Sequence, residues 1–116
     1  MRLIIGGMGQ GKLSYVLHKT GYTLDDVAYT PEEAVHRPIF AGLENWSTLD
    51  EISLLEKNPS LICICNEVGC GVVPVDPTAR IWREQVGRLC CRLAVQATSV
   101  ERIFCGLPMV LKGEGL

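Results

Sequence analysis

Several things are missing from this sequence, and each absence removes a class of function. No apolar run approaches the roughly 18–20 residues needed to cross a bilayer. The formal net charge is −2, so there is no basic surface to suggest nucleic acid or anionic lipid as a partner. There is no C-x-x-C pair, although the chain holds six cysteines. Repeats, low-complexity tracts and linkers are also lacking. The 116 residues are therefore expected to form one domain, 1–116, around one core. The apolar stretch before Gly6 is too short for the core of an export signal. The expected compartment is the cytoplasm, where a disulfide framework does not form.

What is present is concentrated at the start. Gly6-Gly7-Met8-Gly9-Gln10-Gly11-Lys12 follows the apolar run Leu3-Ile4-Ile5 and precedes Leu13-Ser14-Tyr15-Val16-Leu17-His18-Lys19, which reads as a helix. Strand, glycine loop, lysine and helix is the order of a phosphate-binding P-loop. Glycines let successive N–H groups turn inward at an anion. The helix N-terminus adds its positive dipole end, and Lys12 adds a full charge for the outer phosphates. Nucleotide contacts are expected from Gly6 through Ser14. One part is absent: the pattern places Ser or Thr after the lysine to ligate Mg²⁺, and here the residue is Leu13. Ser14 lies roughly 100° further round the helix. No metal-ligating residue is assigned. The bland alternative is a tight turn that binds nothing.

Downstream, strand-like and helical stretches alternate. A weak strand is expected near Asp26–Tyr29, and Thr30-Pro31-Glu32-Glu33 has the form of a capping box opening a short helix that Pro38 ends near His36. Ile39-Phe40-Ala41 reads as a short strand or a buried turn. Trp46 to Asp50 leads into a helix carrying Leu49, Ile52, Leu54 and Leu55, which Asn58-Pro59 stops. Leu61 to Cys65 is an interior strand that places Cys63 and Cys65 on one face, as buried small hydrophobes or, less simply, as metal ligands. Val72–Val75 reads as an extended connector. Asp76-Pro77 caps a long helix to about Ala97, with Trp82, Val86, Leu89, Leu93 and Ala97 on one stripe. Arg80, Arg83, Arg88 and Arg92 fall off that stripe, either as a solvated face or with those near the helix start reaching a phosphate. Val100–Cys105 and Met109–Lys112 close the chain as strands. The expected architecture is a three-layer α/β fold of P-loop type with a mainly parallel sheet.

A P-loop needs an acid for the metal or the nucleophile. Glu67 follows an apolar strand in the manner of a Walker-B acid, and its alternative is a capping or salt-bridging role. His18 reads as a surface residue. His36, at a loop edge, is either a nucleophile toward phosphate or a surface histidine favoured by a helix C-terminus.

Asn66-Glu67-Val68-Gly69-Cys70-Gly71-Val72-Val73-Pro74 resembles the N-E-V-G-x-G-x-V-P signature of the bifunctional adenosylcobinamide kinase/adenosylcobinamide-phosphate guanylyltransferases. The resemblance continues through Ala79-Arg80, Arg83, Gly87-Arg88, Arg92-Leu93-Ala94 and Gly106 to Lys112, and includes the loop from Gly6 to Lys12. It implies a P-loop α/β enzyme of cobalamin assembly, with ATP, GTP and Mg²⁺ as cofactors. Such enzymes phosphorylate the aminopropanol hydroxyl of adenosylcobinamide. They then transfer GMP from GTP through a guanylylated histidine. The resemblance also implies a homo-oligomer, notably a trimer, with nucleotide and corrinoid partners. On this reading Lys12, Glu67 and His36 are the catalytic candidates, His36 as guanylyl acceptor. This chain departs from the family between residues 21 and 60, where it is much shorter; His36-Arg37 followed by Trp46-Ser47-Thr48-Leu49-Asp50 resembles the family's histidine segment and its W-x-T-x-E end, and Glu44 is equally a candidate for the remnant of the missing acid. Leu13 and Cys90 (asparagine in many relatives) are further departures. The alternative is a binding protein for GTP, ATP or a corrinoid that has lost one or both half-reactions.

Overall fold

The computed structural model describes residues 1–68 and 76–116. Gly69, Cys70, Gly71 and the connector expected at Val72–Val75 lie outside the described residues. Six strands form one sheet: β1 (Arg2–Gly6), β2 (Val27–Ala28), β3 (Ile39–Ala41), β4 (Ile62–Asn66), β5 (Ser99–Phe104) and β6 (Leu107–Lys112). Their order is β2-β3-β4-β1-β5-β6. All pairs are parallel except β5–β6, which is an antiparallel hairpin. Among the described residues four α-helices accompany them: α1 (Lys12–Thr20), α2 (Pro31–Ala34), α3 (Glu51–Lys57) and α4 (Pro77–Gln96).

Strand alternation makes the three layers. Leu3, Cys63, Cys65 and Val100 point to the face covered by Val86, Leu89 and Leu93 of α4. Ile4, Ile39, Ile62, Ile64 and Ile103 point to the other face, where Val16 of α1 packs. Apolar residues at consecutive strand positions are what a sheet buried on both sides requires. Cys63 and Cys65 share a face, as their spacing predicts, and among the described residues no group of three or more His, Cys, Asp or Glu could hold a metal.

The local signals hold in most places. Gly21 caps α1 at φ 78°, its N–H bonded to the Leu17 carbonyl. Thr30 accepts from the Glu33 N–H at 3.2 Å, while the Glu33 carboxylate reaches back to the Tyr29 N–H rather than to Thr30's. Asp50 caps α3, so Leu49 lies before the helix, and Ile52 faces solvent. Trp82 sits at the edge of the α4 stripe, 39% exposed, because its indole N–H donates to the Glu44 carbonyl at 3.0 Å. Among the described residues no helix is long and apolar enough to cross a membrane.

The connections fix where a ligand can sit. The chain leaves β1 into α1 on one face of the sheet, and it leaves β4 toward α4 on the other. β1 and β4 are neighbours, with Gly6 level with Asn66. A crevice therefore opens between their C-terminal ends, the topological switch point where open α/β sheets bind ligands.

Candidate phosphate-binding site

The glycine loop leaves β1 at this crevice. Gly6 is packed so closely that a Cβ there would lie 2.5 Å from the Ile103 carbonyl oxygen of β5. Gly9 and Gly11 adopt φ of 75° and 86°, the left-handed region that a side chain resists. The loop is pinned from outside by Gln10. Its carbonyl accepts from the Gly106 N–H at 2.8 Å and its side-chain oxygen from the Cys105 N–H at 2.7 Å. Both partners lie in the β5–β6 turn, where Cys105 has φ 52°. Met8 at the crown is 82% exposed.

Lys12 opens α1 and folds back into its own loop, donating to the Gly7 carbonyl at 2.7 Å. It is 7% exposed. Burial holds its ammonium below the usual lysine range, partly offset by the negative charge of Glu44. An ammonium with one neutral acceptor in a half-dry loop is poised to exchange that acceptor for an anion.

A cavity of about 430 Å³ opens beside the loop. It is lined by Gly9, Gly11, Lys12 and Ser14 on one side and by Glu44 and Asn66 on the other. Leu13 also reaches its rim while packing toward the core beneath α1. Glu44 stands on the 3-10 turn Leu43–Asn45 that follows β3. Its carboxylate is held in orientation by Asn66, accepting from the backbone N–H at 3.0 Å and from Nδ2 at 3.1 Å. The end of β4 thus clamps the one carboxylate found along this cavity among the described residues.

The expected acid sits elsewhere. Glu67 donates its N–H to the Gly6 carbonyl at 2.8 Å, tying the two strand ends together. Its carboxylate makes a two-pronged pair with Arg102, both contacts 3.0 Å. It faces a second cavity of about 650 Å³ on the α4 side, also lined by Arg80, Arg83, Val68 and Cys90. A strand-end position alone does not say which face the following residue turns to; strand pleat does, and it turns Glu67 away from the loop cavity.

His36 is not brought to the loop within one chain. It is exposed and precedes β3, whose first residue, Ile39, is level with Ile62 and, across β4, with Arg2. That is the N-terminal edge of the sheet, whereas the loop leaves from the C-terminal edge. Four strand residues at about 3.3 Å each separate the two edges, so His36 lies more than ~13 Å from the glycine loop along the strands. The arginines divide as well. Arg88 makes only a loose, exposed pair with Glu84 at 3.7 Å, Arg92 holds the buried Glu51 at 2.7 Å, and Arg80 and Arg83 line the α4-side cavity. Glu44 lines one cavity with Lys12, and nothing in its immediate sequence marks it as lying beside a lysine more than thirty positions earlier.

A glycine loop and buried lysine at the switch point of a mainly parallel, three-layer sheet define an α/β domain of P-loop type. The family model described as cobinamide kinase / cobinamide phosphate guanyltransferase matches residues 41–111. That is more than half of the chain, and the chain belongs to this family. The matched stretch takes in Glu44, Asn66, Glu67 and α4, and begins after both the glycine loop and His36. The bifunctional adenosylcobalamin biosynthesis protein CobP of Pseudomonas aeruginosa is 39% identical over 56 residues, covering 48% of this chain. The match spans about a third (32%) of that relative's length.

Proposed function

We propose that this chain binds a nucleoside triphosphate in the Gly6–Ser14 cradle and carries the kinase half of the family's chemistry, phosphorylating the side-chain hydroxyl of a cobinamide. The observation that carries this reading is the juxtaposition of the buried Lys12 ammonium, the left-handed glycines and the clamped Glu44 around one cavity. In the transfer, an oxygen–phosphorus bond forms from the hydroxyl, which gives up its proton to solvent, as the bond from the γ-phosphorus to its bridging oxygen breaks. Negative charge then gathers on the departing nucleoside diphosphate. Loop N–H groups and Lys12 are suited to stabilise that charge. The cavity on the α4 side, lined by Arg80, Arg83 and Arg102 together with Ile5, Val68 and Val86, offers an amphipathic surface for the corrinoid acceptor.

Guanylyl transfer through His36 has less support, because the sheet separates that side chain from the cradle. The test is incubation with γ-labelled GTP or ATP, Mg²⁺ and adenosylcobinamide. The expected product is a labelled cobinamide phosphate that Lys12→Ala abolishes and His36→Ala leaves unchanged. A corrinoid labelled from α-labelled GTP, and lost in His36→Ala, would replace this reading with the guanylyltransferase one.

A second reading, nucleotide binding without turnover, is favoured by Leu13 at the position where a hydroxyl ligates Mg²⁺. It predicts a nucleotide-dependent rise in melting temperature with no labelled corrinoid. The proposed setting is cytoplasmic, and the proposed assembly is a homo-oligomer.

A further inference from the structure

Two cysteines meet across the layer between the sheet and α4. Cys65 stands on β4 and points to the face that Val86, Leu89 and Leu93 cover. Cys90 stands on α4, next to Leu89. Their sulfurs lie 3.5 Å apart, although the residues are 25 positions apart in the chain. A disulfide needs about 2.05 Å between sulfurs, so an approach of about 1.5 Å closes the bond.

The two thiols differ in access. Cys65 is fully buried, and its sulfur also contacts the Asn66 carbonyl at 3.5 Å. Cys90 is half-buried and lines the cavity of about 650 Å³ on the α4 side, so a small solute reaches its sulfur. The hydrogen bond between them favours the thiolate at Cys90 and holds Cys65 as the thiol. Other described cysteines are placed differently. Cys63 is buried and lies about 6.7 Å from Cys65 along β4. Cys91 and Cys105 are exposed. Cys90 is also a position where this chain departs from its family, so the pair is a feature of this chain.

We propose that Cys65 and Cys90 form a peroxide-responsive dithiol, with Cys90 as the attacking sulfur and Cys65 as the resolving one. The Cys90 thiolate attacks one oxygen of hydrogen peroxide. The O–O bond breaks, a sulfenic acid forms, and the other oxygen leaves as hydroxide. The Cys65 sulfur then attacks the sulfenic sulfur. An S–S bond forms as the S–O bond breaks, and that oxygen leaves as water with the Cys65 proton. Two electrons leave the thiol pair and reduce one peroxide. In a reducing compartment such a bond is transient, and a dithiol reductant reverses it. The bond ties β4, which ends at Asn66, to the helical wall of the α4-side cavity. It does not depend on the nucleotide reading above.

The experiment treats the reduced full chain with hydrogen peroxide, counts thiols, and places the bond by peptide mass spectrometry. Wild type should lose two of its six thiols and two hydrogens in mass, with Cys65 joined to Cys90, and dithiothreitol should restore both. The oxidised protein should melt about 5 °C or more above the reduced one, because the bond closes a loop between residues 25 positions apart. Cys65→Ser should leave a sulfenic acid at Cys90 that dimedone traps. Cys90→Ser should abolish both products, while Cys70→Ser and Cys91→Ser keep the bond. Melting temperatures check that the variants fold, and the wild-type mapping decides without them. A wild-type bond from Cys90 to Cys70 or Cys91, a disulfide that forms only after urea unfolding, or oxidation of Cys90 to sulfinic acid with no disulfide overturns the assignment.

Discussion

Replacing Lys12 by methionine separates what the lysine does for the fold from what it does for a ligand. The side chain is 7% exposed and makes one hydrogen bond, to a neutral carbonyl at 2.7 Å. A bond of that kind contributes about 1 kcal/mol net, while burying an ammonium costs more than that. Without nucleotide, Lys12→Met should therefore melt at the wild-type temperature or up to about 4 °C higher. With nucleotide the sign reverses. A charge-assisted contact to phosphate is worth about 1.5–3 kcal/mol, so affinity should fall about 10- to 150-fold. At a GTP concentration of 100 times the wild-type Kd, ligand adds about 2.7 kcal/mol to wild type. At a hundredfold weaker Kd it adds about 0.4 kcal/mol to the variant. Thermal-shift curves with and without GTP read both numbers. The pH dependence carries the same signature. Burial lowers the folded-state pKa of Lys12 below 10.5, so the unfolded chain holds its proton longer as pH rises. Wild type should thus gain stability relative to the variant as pH climbs toward 10.5, while its GTP affinity falls. A variant that keeps more than three quarters of the wild-type thermal shift, or that melts many degrees lower without ligand, would refute the placement of Lys12 in a phosphate cradle.

Other outcomes follow from the same structure. Gly6→Ala drives a Cβ to within 2.5 Å of a carbonyl oxygen of β5. Overpacking against backbone should cost about 1–3 kcal/mol, measurable by urea denaturation. Arg92→Ala strips the partner from a Glu51 side chain that is 8% exposed, and should cost about 1–3 kcal/mol, measurable by urea denaturation. Cys65 and Cys90 lie sulfur to sulfur at 3.5 Å, and their shared hydrogen bond lowers the Cys90 pKa and raises that of Cys65. Burial pushes the Cys63 thiol up to about 12. Iodoacetamide at pH 8 should therefore label Cys90 readily while sparing Cys63 and Cys65, read by peptide mass spectrometry.

The order of the glycine loop was legible in the chain because it is local, although the β5–β6 turn holds the loop from outside. Strand, glycines, lysine and helix follow one another in sequence, and the conformations of Gly9, Gly11 and Gly21 depend on nearest neighbours. Consecutive apolar residues announced strands buried on both faces, and Asp76-Pro77 announced the start of α4. Those features the amino-acid order determined by itself, because steric and hydrogen-bonding preferences over a few residues decide them. Which acid faces Lys12 was settled otherwise. Glu67 and Glu44 both stand near strand ends, and choosing between them needs the pleat of β4, the bonds from Asn66 and the pairing of Arg102 on a different strand. His36 was likewise placed by strand register, which puts it on the far edge of the sheet. Long-range pairing decides such matters because a one-residue change of register reverses the face every side chain meets, and only the folded sheet supplies that register.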